Sequence, residues 1–262
     1  MAVGQYYARR AHAFSAALTA PGREGPLYAV DMGLRPSGAA GPVAVPRTAF
    51  LRYHTEAAWT WECMALTRAR IVAAPQALRR ALTQDMERVL DGSIRAIPPK
   101  RATLLEDART MRERLARDLP ASSIWDIKRR AGGLMEVEFI AQIFQLVAAN
   151  PMARSPSTRL ALGRLERCGV LSAADVKLLR QADFFWRRLQ ALLRLLCGPV
   201  PPKELETDMV PAALNILLRN MKARTLPELM ERTNLLARDV RNCFERLVGP
   251  VASMAPAERP ED

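Results

Sequence analysis

Residues Tyr28–Pro42 read YAVDMGLRPSGAAGP. Tyr28, Val30, Met32 and Leu34 fall on one side of a period-2 pattern, and Leu27, Ala29, Asp31 and Gly33 on the other. The alternation predicts one short strand, with Asp31 on the face whose neighbours are small. Arg35-Pro36-Ser37-Gly38 and Gly41-Pro42 follow. They supply a permanent cation, a turn, and glycines that let backbone N–H groups approach an anion. A carboxylate beside an arginine–glycine loop is what handling a metal-bound nucleotide requires. An ordinary strand end with a solvated aspartate has the same spacing, so the stretch alone leaves both readings open.

Outward from this loop the chain reads as helix. Residues 3–19 form one helix, with Tyr7, Phe14 and Leu18 apolar, broken by Pro21, Gly22 and Gly25. Thr48 is placed to cap a long Ala-rich helix to about Val72, with Trp59 and Trp61 on different sides and at least one of them in the core. Pro75 opens the next helix, whose apolar stripe is Leu78, Leu82, Met86 and Leu90. Pro98-Pro99 is the best candidate domain boundary. A helix from about Lys100 to Asp118 carries Leu104, Ala108, Met111 and Leu115 on one side. Gly132-Gly133 opens an apolar helix with Phe139, Ile143 and Leu146 on its core face. Ser172 with Asp175 and Thr225 with Glu228 are capping boxes for two further helices, ending near Cys197 and Val248. The first of these, with Phe184, Trp186, Leu189 and Leu193, is apolar enough to be central. A single strand cannot form a sheet and needs a neighbour.

The 262 residues suffice for one large or two modest domains, and 49% apolar with 25% charged residues is ordinary for a globular chain. No apolar run approaches the ~20 residues of a membrane span, and no apolar leader precedes a cleavage site. Cys63, Cys168, Cys197 and Cys243 are scattered, and His12 and His54 are the only histidines. That pattern argues for reduced thiols in a cytoplasmic protein rather than a zinc site. The net charge of +12 favours an anionic partner. The basic residues Arg109, Arg112, Arg114, Arg117, Lys128, Arg129 and Arg130 read as a solvated helix face before any specific anion site.

Three ordered blocks then resemble one family. Tyr28–Gly38 resembles a strand of the form E-V-D-x-R-L-R-P-S-G, and EAAWTWECMALTRAR (Glu56–Arg70) resembles E-A-W-T-W-E-H-x-A-L-x-R-A-R. DIKRRAGGLMEVEFIAQ (Asp126–Gln142) resembles D-x-K-x-x-x-G-G-x-x-D-x-E-F-x-x-Q, a pattern shared with bacterial uridylyltransferases. Together they resemble the C-terminal, adenylylating part of the glutamine synthetase adenylyltransferase / adenylyl-removing enzyme family. The resemblance implies transfer of AMP from ATP to a tyrosine of glutamine synthetase, with Mg²⁺ as the metal. It implies glutamine as effector and a PII signalling protein as a second partner. Asp31 matches the third of the family's metal carboxylates, and so is the catalytic and metal residue. Arg35, Ser37, Gly38, Arg68 and Arg70 match nucleotide contacts. Lys128, Glu136 and Glu138 mark an interdomain or effector site, or else a structural ion-pair network.

The chain departs from the family in several places. Gly33 stands where the family has Arg, Cys63 where it often has His, and Glu136 where it has Asp. The family's other two metal carboxylates belong to a G-S-x-x-D-x-D motif, which occurs nowhere in this chain. One aspartate does not hold two divalent ions for in-line displacement. Glu136/Glu138 and Glu206/Asp208 are no substitute, since i and i+2 point to nearly opposite sides of a helix.

The expectation is therefore a mainly α chain. A remnant of a nucleotidyltransferase α/β domain (residues 1–97, with its following helices) precedes a helical linker (98–122). An all-α helical bundle (123–249) and a flexible tail (250–262) follow. Either the start is truncated or it falls at an internal methionine, and the chain is catalytically incomplete by itself. The alternative is a non-catalytic helical module that docks on glutamine synthetase or a PII protein. Nucleic acid has only the net charge behind it, with no helix-turn-helix and no aromatic stacking pattern.

Overall fold

A computed structural model of the protein describes residues 2–26, 28–93, 95 and 99–251. Leu27 and Pro98 lie outside the described residues, as do residues 252–262, most of the expected tail. The chain divides into two compact units, Met1–Pro98 and Pro99–Asp262. Both are built from helices, and the only sheet among the described residues is a two-stranded ribbon. The protein is thus mainly α. No helix among the described residues is long and apolar enough to cross a membrane.

The first unit opens with α1 (Val3–Thr19), none of whose residues is buried. The Pro-Gly segment after it does break the helix. It also forms the ribbon, β1 (Pro21–Gly22) antiparallel to β2 (Gly25–Pro26). The strand expected over 28–34 is absent. Residues 28–33 carry no ladder, and Tyr28 and Leu34 are exposed. Without a neighbouring strand the backbone has nothing to exchange hydrogen bonds with, so alternation in the sequence produces no sheet.

The single helix expected from Thr48 to Val72 is two. α2 (Arg47–Glu56) starts one residue before Thr48, with Pro46 at its cap, and α3 (Thr60–Leu66) follows. The break has a local cause. The Tyr53 carbonyl accepts from both Ala57 N (2.8 Å) and Ala58 N (2.9 Å), closing α2. The Glu62 carboxylate accepts from Trp59 N at 2.9 Å and restarts the helix. The break turns both Trp59 and Trp61 outward, so neither joins the core. α4 (Gln76–Leu90) packs against α2 and α3. Of the expected stripe Leu90 is buried, Leu82 and Met86 are half-buried and Leu78 is exposed, while Asp85 and Val89 join the buried face. Asp85 is drawn inward by Arg47, whose Nη2 donates to it at 2.9 Å and whose Nε makes a second contact.

The second unit is a bundle: α5 (Arg101–Asp118), α6 (Leu134–Ala148), α7 (Thr158–Arg167), α8 (Ala173–Cys197), the single turn α9 (Leu205–Asp208), α10 (Pro211–Met221) and α11 (Leu226–Leu247). α6 packs against α5, α7, α8 and α11, and α8 against α6, α7, α10 and α11. Leu134, Val137, Ile140, Ala141, Ile143, Phe144 and Leu146 are all buried on α6, while Phe139 is only half-buried. On α8, Trp186, Leu189 and Leu193 are buried and Phe184 faces out. The helix starts are capped as their sequences indicate: Ser172 Oγ accepts from Asp175 N at 3.1 Å, and Thr225 Oγ1 from Glu228 N at 3.3 Å.

Gly132 decides how closely α6 can approach α11. Its φ is +68°, and a Cβ there would stand 1.7 Å from the Ala237 carbonyl oxygen. Only a glycine lets the two backbones meet. The next residue is equally confined, since a Cβ on Gly133 would lie 2.5 Å from Ile127 O. The Gly-Gly pair is thus a packing device of the bundle.

Candidate functional site

In the first unit the segment after Asp31 folds on itself. Asp31 Oδ1 accepts from Gly33 N at 2.7 Å, an Asx turn that needs no other element. The Arg35 guanidinium is the hub of the loop. Its Nε donates to Gly41 O at 3.1 Å, its Nη2 to Ala39 O at 3.2 Å, and its Nη1 to Met32 O. Ser37 and Gly38 are both left-handed, at φ 63° and 53°. Gly41 closes the loop where a Cβ would sit 2.1 Å from Pro36 O. Arg35 therefore spends three of its five N–H donors on carbonyls and keeps two.

Beside this loop lies a cleft of about 270 Å³, close to the lower end of small-molecule sites. Leu34, Pro36, Phe50 and Leu66 make its walls apolar, and Arg35 and Arg68 are at its edge. Three further polar side chains line it: Tyr53, His54 and Glu62. Tyr53 Oη donates to Glu62, 2.8 Å from Oε1 and 3.0 Å from Oε2. Burial pushes the phenol up, the Glu62 carboxylate adds to the rise, and the Ser37 backbone N–H opposes it. His54 is 5% exposed and packs at a tilt of 57° with its ring centroid 4.4 Å from that of Phe50, with Nδ1 unmatched by any hydrogen-bond partner among the described residues. Burial lowers its pKa, and Arg95 adds to this while Glu62 opposes.

Of the residues expected to contact nucleotide, Arg35 and Arg68 meet at this cleft. Asp31, Ser37 and Gly38 belong to the adjoining loop and do not line it. Arg68 and Arg70 lie beyond the end of α3, so the helical geometry assumed for them does not apply. Arg70 is exposed and outside the cleft. Tyr53 and His54 were not legible as site residues. Their only signal is the i, i+3, i+4 spacing of Phe50, Tyr53 and His54, which is equally that of an ordinary helix face.

Among the described residues no group of three or more His, Cys, Asp and Glu side chains is placed to hold a metal ion. Asp31 is one exposed carboxylate, already accepting a backbone N–H. The described residues do not by themselves fit a two-metal centre.

In the second unit Lys128, Glu136 and Glu138 do not converge. Glu136 is fully buried. Its Oε1 accepts from Arg112 Nε at 3.0 Å and Arg241 Nη1 at 2.8 Å, and its Oε2 from Gly132 N at 2.9 Å. This ties α5, α6 and α11 together. Arg112 was grouped with a solvated face, but its side chain is 3% exposed. Burial lowers its pKa, with Glu136 opposing. Glu138 pairs instead with Arg187 at 2.9 Å, and Arg187 with Asp183 at 2.7 Å. Lys128 is exposed at a separate cleft.

Residues 1–85 match a family described as glutamate-ammonia ligase adenylyltransferase, and residues 104–248 one described as GlnD PII-uridylyltransferase. The chain is 37% identical over 247 residues to a bifunctional glutamine synthetase adenylyltransferase/adenylyl-removing enzyme of Rhodopseudomonas palustris (strain TIE-1). It is 35% identical over 246 residues to that of Bradyrhizobium sp. (strain BTAi1 / ATCC BAA-1182) and 37% over 255 to that of Brucella suis biovar 1 (strain 1330). These alignments cover 94%, 93% and 95% of the chain, which spans 24% of each relative's length.

Proposed function

Because the chain belongs to the glutamine synthetase adenylyltransferase family, we propose that it is part of an enzyme that transfers AMP from ATP to a tyrosine of glutamine synthetase and so regulates nitrogen assimilation. The observation that carries this reading is the cleft beside the Asp31 loop, with apolar walls and two arginines at its edge. Its size and walls suit a nucleoside, and the arginines suit the attached phosphates. Arg35 offers its two remaining donors. The N–H groups of the left-handed Ser37-Gly38 turn offer a short anion-binding concavity, and Arg68 and Arg70 add charge. Asp31 would contribute one carboxylate to a Mg²⁺ site. Its other ligands come from residues outside this sequence, so transfer needs those residues as well. Mg²⁺, when bound, would screen the phosphate charge. The work is cytoplasmic, and the helical unit is the part that answers to a PII signalling protein or to glutamine.

The test follows label from α-labelled ATP into unmodified glutamine synthetase, with Mg²⁺ and glutamine present. The chain is assayed alone and within a protein that supplies the G-S-x-x-D-x-D carboxylates. Transfer in the longer protein that Asp31→Asn abolishes and Arg68→Gln weakens supports the proposal. Transfer indifferent to Asp31→Asn overturns the role of that residue. A second reading, a helical module that docks on glutamine synthetase or a PII protein without chemistry, draws on the lack, among the described residues, of any group of three or more His, Cys, Asp and Glu side chains placed to hold a metal ion. Binding to glutamine synthetase with no transfer in either form would favour it.

A further inference from the structure

We infer that the cleft between the 125–129 loop and the C-terminal end of α8 binds a compact oxyanion, a carboxylate or a phosphate. The cleft measures about 110 Å³, too small for a nucleotide. Lys128, Arg129 and Arg194 line it, with the Gln190 amide as a further polar group. Its one carboxylate is Asp126, which is buried and accepts the backbone N–H groups of Arg129 (3.3 Å) and Ser122 (3.5 Å). Asp126 reaches the Arg129 guanidinium only loosely, at 3.7 Å.

Three cations face one carboxylate at this cleft. Arg109, Arg112, Arg187, Arg241 and Arg246 are all held by carboxylates. No ion pair among the described residues uses Lys128 or Arg194. The end of α8 also faces this region, and a helix C-terminus carries roughly half a negative charge. That accounts for part of one cation and leaves more than one positive charge unmatched.

The walls are fixed in advance of any ligand. Gly198 leaves α8 at φ +90°, and Pro199 and Pro201 stiffen the chain that follows. Ser123 Oγ donates to Pro202 O at 2.6 Å and accepts from Trp125 N at 3.1 Å, fastening one wall to the other. The Lys128 carbonyl accepts from Met135 N at 3.2 Å, which anchors the loop to α6. With the backbone fixed, the freedom lost on binding a small anion is confined to the exposed side chains of Lys128, Arg129 and Arg194.

The test is calorimetry and thermal unfolding of the whole chain, with inorganic phosphate and, separately, malonate, at ionic strength held constant with sodium chloride. The expected result is saturable binding with a raised Tm. Lys128→Gln and Arg194→Gln should each weaken it about tenfold, and the double variant should abolish it. Arg159→Gln, an exposed change on α7, should leave it unaltered. Binding of phosphate alone assigns a phosphoryl ligand, of malonate alone a carboxylate, and of both a general oxyanion site. Chemical shifts induced in the unmodified protein should map to residues 124–130 and 190–201, a readout independent of how the variants fold. No binding of either anion overturns the inference, as do shifts elsewhere or binding that survives in the double variant.

Discussion

Glu136→Gln is the sharpest test of how the helical unit is held together. The Glu136 carboxylate is fully buried, the Arg112 side chain is 3% exposed and that of Arg241 16%. The change keeps shape and removes the one negative charge that both guanidinium groups share. Arg241 retains Glu245 at 2.7 Å and Val251 O at 2.8 Å, so its loss is moderate. Arg112 keeps only neutral acceptors, the amide oxygen and Arg129 O at 3.1 Å, and is left nearly dry with its charge uncompensated. Breaking a buried pair this way costs about 3–5 kcal/mol. At roughly 2–4 °C per kcal/mol for a unit of this size, Tm should fall by about 6–20 °C. Urea unfolding followed by far-UV circular dichroism measures the free energy directly.

The double variant Arg112→Met/Glu136→Leu removes both members of the worst-placed pair and lets Arg241 lean on Glu245. It should recover most of the loss. It should still stand about 1–3 kcal/mol below the unmodified protein, because Gly132 N loses its acceptor. A cost below about 1 kcal/mol for Glu136→Gln would refute the argument. So would a double variant no better than the single one.

Four further outcomes are expected. His54 is buried with its pKa lowered, so the folded first unit favours the neutral ring. Its contribution to stability is full above the unfolded value of about 6.5 and is lost as pH falls from there through the lower folded value. Proton NMR should show His54 titrating below the ordinary histidine range, and His54→Gln should flatten the dependence. Gly132→Ala places a methyl against Ala237 O in a left-handed backbone and should cost more than about 2 kcal/mol or prevent folding. Gly163→Ala, half-buried in the middle of α7 with nothing nearer than Arg180 Nη1 at 3.8 Å, should gain about 0.5–1 kcal/mol. Ser172→Ala removes the cap of α8 and should cost about 1 kcal/mol in the same urea assay.

Much of the helical architecture was legible in the chain itself. Apolar spacing, the Ser172 and Thr225 caps and the proline punctuation are local signals. A helix satisfies its own backbone within a few residues, so such signals suffice to place it. The family was legible for a related reason: Asp31–Gly38, Glu56–Arg70 and Asp126–Gln142 are contiguous blocks, readable without knowing what they touch.

What failed were statements that depend on partners distant in sequence. Residues 28–34 alternate as a strand does, but a strand exists only through its neighbour. Charge on a helix gave no hint that Arg112 turns inward, because the reason, Glu136, is 24 residues away. Glu136 and Glu138 looked like one site, but Glu136 serves Arg112 on α5 and Arg241 on α11, and Glu138 serves Arg187 on α8. Tyr53 and His54 join Arg35 and Arg68 at one cleft only after the loop closes on α2 and α3. Local periodicity thus determined the helices. Burial, which weighs desolvation against the partner that the fold supplies, decided which charges are structural and which remain open to a ligand.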